Sequence, residues 1–156
     1  MNIFLDGGCG KSLEDLSLQS FYLNPSLGNT IDFIKGRVGF YGIVVYWVDM
    51  KKVMSMEYRD LIPDENLWRE VVVASRCGQD SAVDDDDFVY GYQLSNPREI
   101  IKKYNKDNED SRRGRISKAR WFEPIRHLQL AVKNKKAAKV INSYQVGIIY
   151  FHLKNQ

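Results

Sequence analysis

A chain of 156 residues holds one self-sufficient hydrophobic core and is too short for two. Its 44% apolar and 12% aromatic composition offsets the entropy of ordering the backbone, which excludes global disorder. The net charge of +3 hides an asymmetry: residues 1 to 90 carry 8 Lys/Arg against 15 Asp/Glu, and residues 91 to 156 carry 15 against 5.

Opposite halves of this kind attract within one fold, or leave a basic face for an anionic partner. No apolar run approaches the roughly 20 residues that span a bilayer. The first residues lack the pattern of a secretion signal. Cys9 and Cys77 have neither disulfide-framework nor zinc-site spacing around them, so a reducing cytoplasm or nucleus is the expected setting.

In chain order, Asn2 to Leu5 predict a short strand running into the glycine turn of Gly7, Gly8 and Gly10. Ser12 and Asp15 have the spacing of a capping box for a short helix, and Ser20 to Leu23 form a second strand. Asn24 and Pro25 then predict a helix over 25–35, with Leu27, Ile31 and Ile34 on one face and Gly36 at its end. The unbroken apolar run Gly42 to Asp49 predicts a strand in the sheet interior.

Asp64 caps a second predicted helix whose buried face carries Leu67, Val71 and Ala74, with Trp68 beside it and Gly78 beyond its end. After the acidic run Asp84 to Asp87 comes a strand, Phe88 to Leu94, in which Gly91 marks a bulge or a close backbone approach. Asn96-Pro97 opens a third predicted helix through about Tyr104, and residues 105 to 120 form a polar loop. The chain closes with a strand near Ile125 to Val132, a helix near Lys135 to Ile141 and a strand Gln145 to Leu153.

Several segments carry chemistry. The GGCGKS stretch at 7 to 12 has the lysine and serine of a phosphate-binding loop, but Leu5 occupies the place of the first required glycine, and a glycine-rich turn is the better reading. Asp49 could hold magnesium in such an enzyme, yet the pattern lacks regular βα alternation. Asp84 to Asp87 lack the spaced ligands and turn glycine of a calcium loop and read as a solvated acidic loop. Asp87, leading directly into the next strand, is the exception to watch.

Arg112 to Arg126 contain six Arg/Lys with Trp121 and Phe122 interleaved. Such a stretch either contacts phosphates and stacks bases or is a solvated loop ending in a core aromatic pair. A nucleic-acid partner would be met through Arg112, Arg113, Arg115, Lys118 and Arg120. His127 and His152 have no neighbouring nucleophile and read as strand residues.

Taken in order, IFLDGG (3–8), SFYLNPS (20–26), IVVYWVD (43–49), LWREVVVASR (67–76), DFVYGYQLSN (87–96) and HLQLAVKNKKAAKVI (127–141) resemble an uncharacterised branch of the ADP-ribosyltransferase-like superfamily. Members of that branch carry Tyr-His-Gly-Ser and Gly-Phe-Tyr-Leu-Thr strands, then a Trp-x-x-Phe...Asn-Arg helix, an Asp-x-Val-x-Gly strand and a late strand containing Gln. The resemblance implies an α+β domain over 1–156 with a split, mixed and antiparallel twisted β-core, flanked by short helices, and a cleft for NAD. No metal is implied.

By carry-over, Gly7 and Gly8 would meet the nicotinamide, and Phe21 and Tyr22 would lie near its ring. Asp6 stands where the family often has His, and Gln129 stands where the catalytic carboxylate is usual. An amide hydrogen-bonds ribose hydroxyls but supplies no negative charge, so the resemblance implies binding of NAD with weak turnover, directed at a macromolecular target. Trp68, Arg76, Asp87 and Gly91 match the middle motifs, and Arg76 paired with Asp87 would fasten helix to strand. The alternative is a non-enzymatic module that binds protein or nucleic acid through the basic C-terminal half.

Overall fold

The structure, a computed structural model, describes residues 2–6, 21–34, 39–77, 80–94 and 124–153. Its strands are β1 (Asn2–Asp6), β2 (Phe21–Leu23), β3 (Gly39–Val48), β4 (Tyr58–Asp60), β5 (Phe88–Leu94), β6 (Pro124–Val132) and β7 (Gln145–Leu153). Its helices are α1 (Leu27–Ile34), α2 (Met50–Met54), α3 (Glu65–Cys77) and α4 (Lys135–Asn142). The class is α+β, with short helices around a β-core divided in two.

One sheet is antiparallel in the order β1-β3-β7, and the other runs β2-β6-β5-β4. The second sheet is mixed, because β4 pairs parallel to β5 while β6 is antiparallel to both β2 and β5. The edge strands β1 and β2 lie against one another, so the two sheets meet at that seam. β3 is the central strand of its sheet, as its two-sided apolar run requires.

The main core forms where the sheets share a face. Tyr46 and Val48 from β3, Leu23, Phe88, Leu130 and Val132 from the mixed sheet, Val53 from α2, and Ala137 and Ile141 from α4 are buried in one cluster. A second cluster covers the other face of the mixed sheet, where Trp68 and Val71 of α3 pack with Leu61, Val83 and Val89. Ile43, on the opposite face of β3, is buried beneath Ile31 of α1 with Phe151 and Leu153 of β7.

Capping chemistry sets the helix boundaries. Asp64 Oδ1 accepts from the amides of Asn66 and Leu67, both at 3.0 Å, as its position predicts. Helix α1 begins later than Asn24-Pro25 suggests. Asn24 Oδ1 takes the Ser26 amide at 2.8 Å in a local turn, and Ser26 caps the helix by accepting from the Asn29 amide.

Trp68 faces the core instead of lying beside the helix's apolar stripe, and its indole N–H donates to the Tyr92 carbonyl at 2.9 Å. Two elements are absent from the sequence expectations: the one-turn helix α2 and the three-residue strand β4. Both are too short for a periodic signal. The predicted helices opening at Ser12 and Asn96, the polar loop 105–120 and the caps Gly36 and Gly78 lie outside the described residues.

Candidate functional site

Of the residues that the sequence marks for ligand binding, Phe21, Tyr22 and Gln129 lie on the paired strands β2 and β6, and Asp6 ends β1. Strand β2 pairs with β6 in the register Phe21 to Val132, Tyr22 to Ala131 and Leu23 to Leu130. Side chains alternate along a strand, so Tyr22, Ala131 and Gln129 share one face while Phe21 and Leu23 take the other. Tyr22 and Gln129 are diagonal neighbours, a relationship that puts such positions roughly 7 Å apart.

Phe21 packs against the main core with buried Leu23. The pleat therefore separates the two aromatics expected around one ring, and Tyr22 alone is exposed on the outer face. Gln129 is half-buried and opposite Gly91 of β5. A Cβ on Gly91 would stand 3.3 Å from Trp68 Cδ1 and 3.4 Å from Leu61 Cβ, so the glycine admits the indole against the sheet.

Together these residues make a shelf along the face that α3 covers: the Trp68 indole over Gly91, Gln129 opposite that glycine, Ala131 packed against the α3 cluster, and Tyr22 exposed at the end. A flat ring can stack on the phenol, and the amide of Gln129 can donate to and accept from hydroxyls. Asp6 ends β1, the strand of the other sheet at the seam, where its backbone pairs with Val44. Gly7, Gly8, Arg112, Arg113, Arg115, Lys118 and Arg120 lie outside the described residues.

The acidic run divides in two: Asp84 and Asp85 are exposed, as its composition suggests, and the last two residues are not. Asp86 and Asp87 are buried, and each has a dedicated partner. Arg59 Nε of β4 donates to Asp86 Oδ2 at 3.1 Å. Asp87 Oδ2 accepts from Lys136 Nζ at 2.7 Å and from the Glu57 amide at 3.3 Å, and Oδ1 accepts from Asn134 Nδ2 at 2.8 Å.

Burial pushes the Asp87 carboxyl up, but the hydrogen bonds from Lys136, Asn134 and Glu57, with the charge of Lys136, outweigh it and leave the group below its ordinary value. Asp84 is lowered by its bonds from the Ser81 amide and hydroxyl. Its carboxylate also faces Lys133 at 3.8 Å.

Asn134 serves two roles, capping α4 by accepting from the Ala137 amide at 2.9 Å while donating to Asp87. The run is thus a clamp joining β4, β5 and the start of α4, and the basic half of the chain meets the acidic half through Lys133 and Lys136. Asn134 and Lys136 carried no local signal, because their role depends on a carboxylate 47 and 49 residues away. The Arg76 side chain lies outside the described residues, and Asp87 is fastened to α4.

Asp49, weighed above as a magnesium ligand, caps α2 by accepting from the Lys51 amide at 3.0 Å. Among the described residues no group of three or more His, Cys, Asp or Glu is placed to hold a metal ion, and no helix is long and apolar enough to cross a membrane. No protein-family model matches the chain, and comparison with curated proteins and with solved structures gave no match.

Proposed function

We propose that this chain is an NAD-binding ADP-ribosyltransferase-like domain with weak turnover, directed at a macromolecular target. The observation that carries the reading is the adjacency of β1, β2 and β6. The strands whose sequences resemble the nicotinamide-holding, ring-stacking and catalytic strands of that superfamily are brought side by side at the seam. Tyr22 and Gln129 share a face there, as a ring-stacking residue and a ribose-binding residue must.

In this reading the phenol of Tyr22 stacks on the nicotinamide and the Gln129 amide bonds the adjoining ribose hydroxyls. Breaking the glycosidic bond develops positive charge at the ribose, which a carboxylate stabilises and a neutral amide does not. Gln129 therefore binds more effectively than it catalyses. Phe21 supports the strand from the core side.

The test is a thermal-shift titration with NAD and ATP in parallel, with nicotinamide release followed in the same samples. The reading expects stabilisation by NAD, slow release, and loss of stabilisation in Tyr22→Ala. A melting temperature unmoved by millimolar NAD, with the native protein and Tyr22→Ala indistinguishable, overturns it.

A further inference from the structure

The two sheets have four edge strands, and three of them are protected. Strands β1 and β2 lie against one another at the seam. Strand β4 has only three residues and carries Arg59 and Asp60, the charged, short form in which exposed edges resist pairing. Strand β7 is different.

It is nine residues long, QVGIIYFHL, without a Lys, Arg, Asp, Glu or Pro. Among the described strands it pairs with β3 alone. Its apolar side chains are open to solvent: Val146 is 63% exposed, Ile148 43%, Ile149 39% and Tyr150 77%. Gly42 of β3 leaves room beneath them, since a Cβ there would meet Ile148 Cγ2 at 3.3 Å and the Tyr150 ring at 3.7 Å.

We propose that β7 is a homodimerisation edge, pairing antiparallel with β7 of a second copy and joining two three-stranded sheets into one of six strands. A second copy fits because an antiparallel strand paired with itself closes on a twofold axis and uses the same patch twice. An axis through Ile149 sets Ile148 against Tyr150 of the second copy, a β-branched and aromatic pair of the kind that stabilises sheets. The same axis sets Phe151 of each copy over Gly147 of the other, an aromatic covering a bare glycine.

Charge favours the same occupant. The chain carries +3, so two copies meet best along a strand with no charge, whereas a partner of opposite sign would be met by basic side chains that β7 lacks. Size is adequate as well. The four exposed side chains present on the order of 400 Å² per chain, divided between the two faces of the strand. With the edge backbone added, two strands bury about 1,000 Å² in all, the low end of the range for a specific interface, where transient complexes lie.

Sedimentation equilibrium of the whole chain at tens of micromolar tests the proposal. The expected mass is twice 18.1 kDa, with β7 amides gaining hydrogen-exchange protection as concentration rises. The double variant Ile148→Lys, Tyr150→Lys is expected to be a monomer with an unchanged circular dichroism spectrum. Should that variant not fold, Val146→Lys at the irregular end of the strand serves instead and is expected to raise the dissociation constant at least tenfold. A monomeric native chain, a folded lysine variant that still dimerises, or growth beyond the dimer overturns the proposal.

Discussion

Lys136 Nζ stands 2.7 Å from Asp87 Oδ2, and the two ends of this bond sit in different environments: the carboxylate side chain is 5% exposed and the lysine 68%. The pair is therefore asymmetric. Removing the lysine lets its site fill with water, while Asn134 and the Glu57 amide still hold the carboxylate. Removing the carboxylate takes the partner from the Asn134 amide, the Glu57 N–H and the lysine together, and leaves the space of a buried side chain empty. Asp87→Ala is expected to cost about 2 kcal/mol and to lower Tm by roughly 4–8 °C, with Lys136→Ala costing well under half of that. Thermal melts of the two variants check the order.

The same carboxylate shapes the acid limb of stability. Its folded-state pKa is depressed, so the stability it contributes is present above the unfolded value of about 3.9 and is lost as pH falls through the lower folded value. Asp84 adds a contribution of the same sign, though an exposed one. Urea titrations at descending pH are expected to show the native protein losing more stability than Asp87→Asn below about pH 4.

At the alkaline end the sign reverses. Burial, reinforced by Asp60 and Tyr90, pushes the Tyr58 phenol from 10.0 up to about 12, and burial raises Tyr90 as well. A raised pKa favours the neutral form in the folded state, so this stability is full below the unfolded value of about 10 and disappears as pH rises through the folded value. The component of a tyrosinate absorbance titration near pH 12 is expected to diminish in Tyr58→Phe.

Gly91 and Gly147 are both strand glycines, yet their environments predict opposite outcomes. A methyl on Gly91 meets Trp68 and Leu61, and Trp68 is fixed by burial and by its bond to Tyr92. Gly91→Ala is expected to cost about 1–3 kcal/mol. At Gly147 nothing of the same chain lies within 4 Å of a Cβ, so in the dilute monomer Gly147→Ala is expected to be neutral or to stabilise by about 0.5 kcal/mol. Denaturant midpoints of the two variants distinguish them.

Gln129→Glu tests the chemistry proposed for the shelf. If the half-buried amide stands where a carboxylate would act, restoring the charge is expected to raise nicotinamide release by about tenfold or more with little change in NAD-induced stabilisation. Gln129→Ala is expected to reduce that stabilisation without creating activity. Equal release from all three proteins would remove Gln129 from the proposed site.

The sequence by itself determined the elements with a strong local signature. Asp64 capped its helix because the side chain reaches amides two and three residues ahead, and the uninterrupted apolar run of β3 put buried residues on both faces, Ile43 on one and Tyr46 and Val48 on the other, though it left Trp47 exposed. The limits of Phe88 to Leu94 and of Gln145 to Leu153 were legible for the same reason. Gly91 within its strand announced the close approach that Trp68 makes.

Tertiary structure decided everything that depends on partners distant in the chain. Whether Asp86 and Asp87 would be solvated or buried turned on Arg59, Asn134 and Lys136, and an acidic run has the same composition in either case. The division of Phe21 and Tyr22 between two faces followed from the register of β2 against β6, and the exposure of β7 from its place at the end of its sheet. Local propensity specifies where backbone hydrogen bonds can form, but the free energy that selects register, strand order and the neighbours of a buried charge comes from contacts that exist only once the chain has closed on itself.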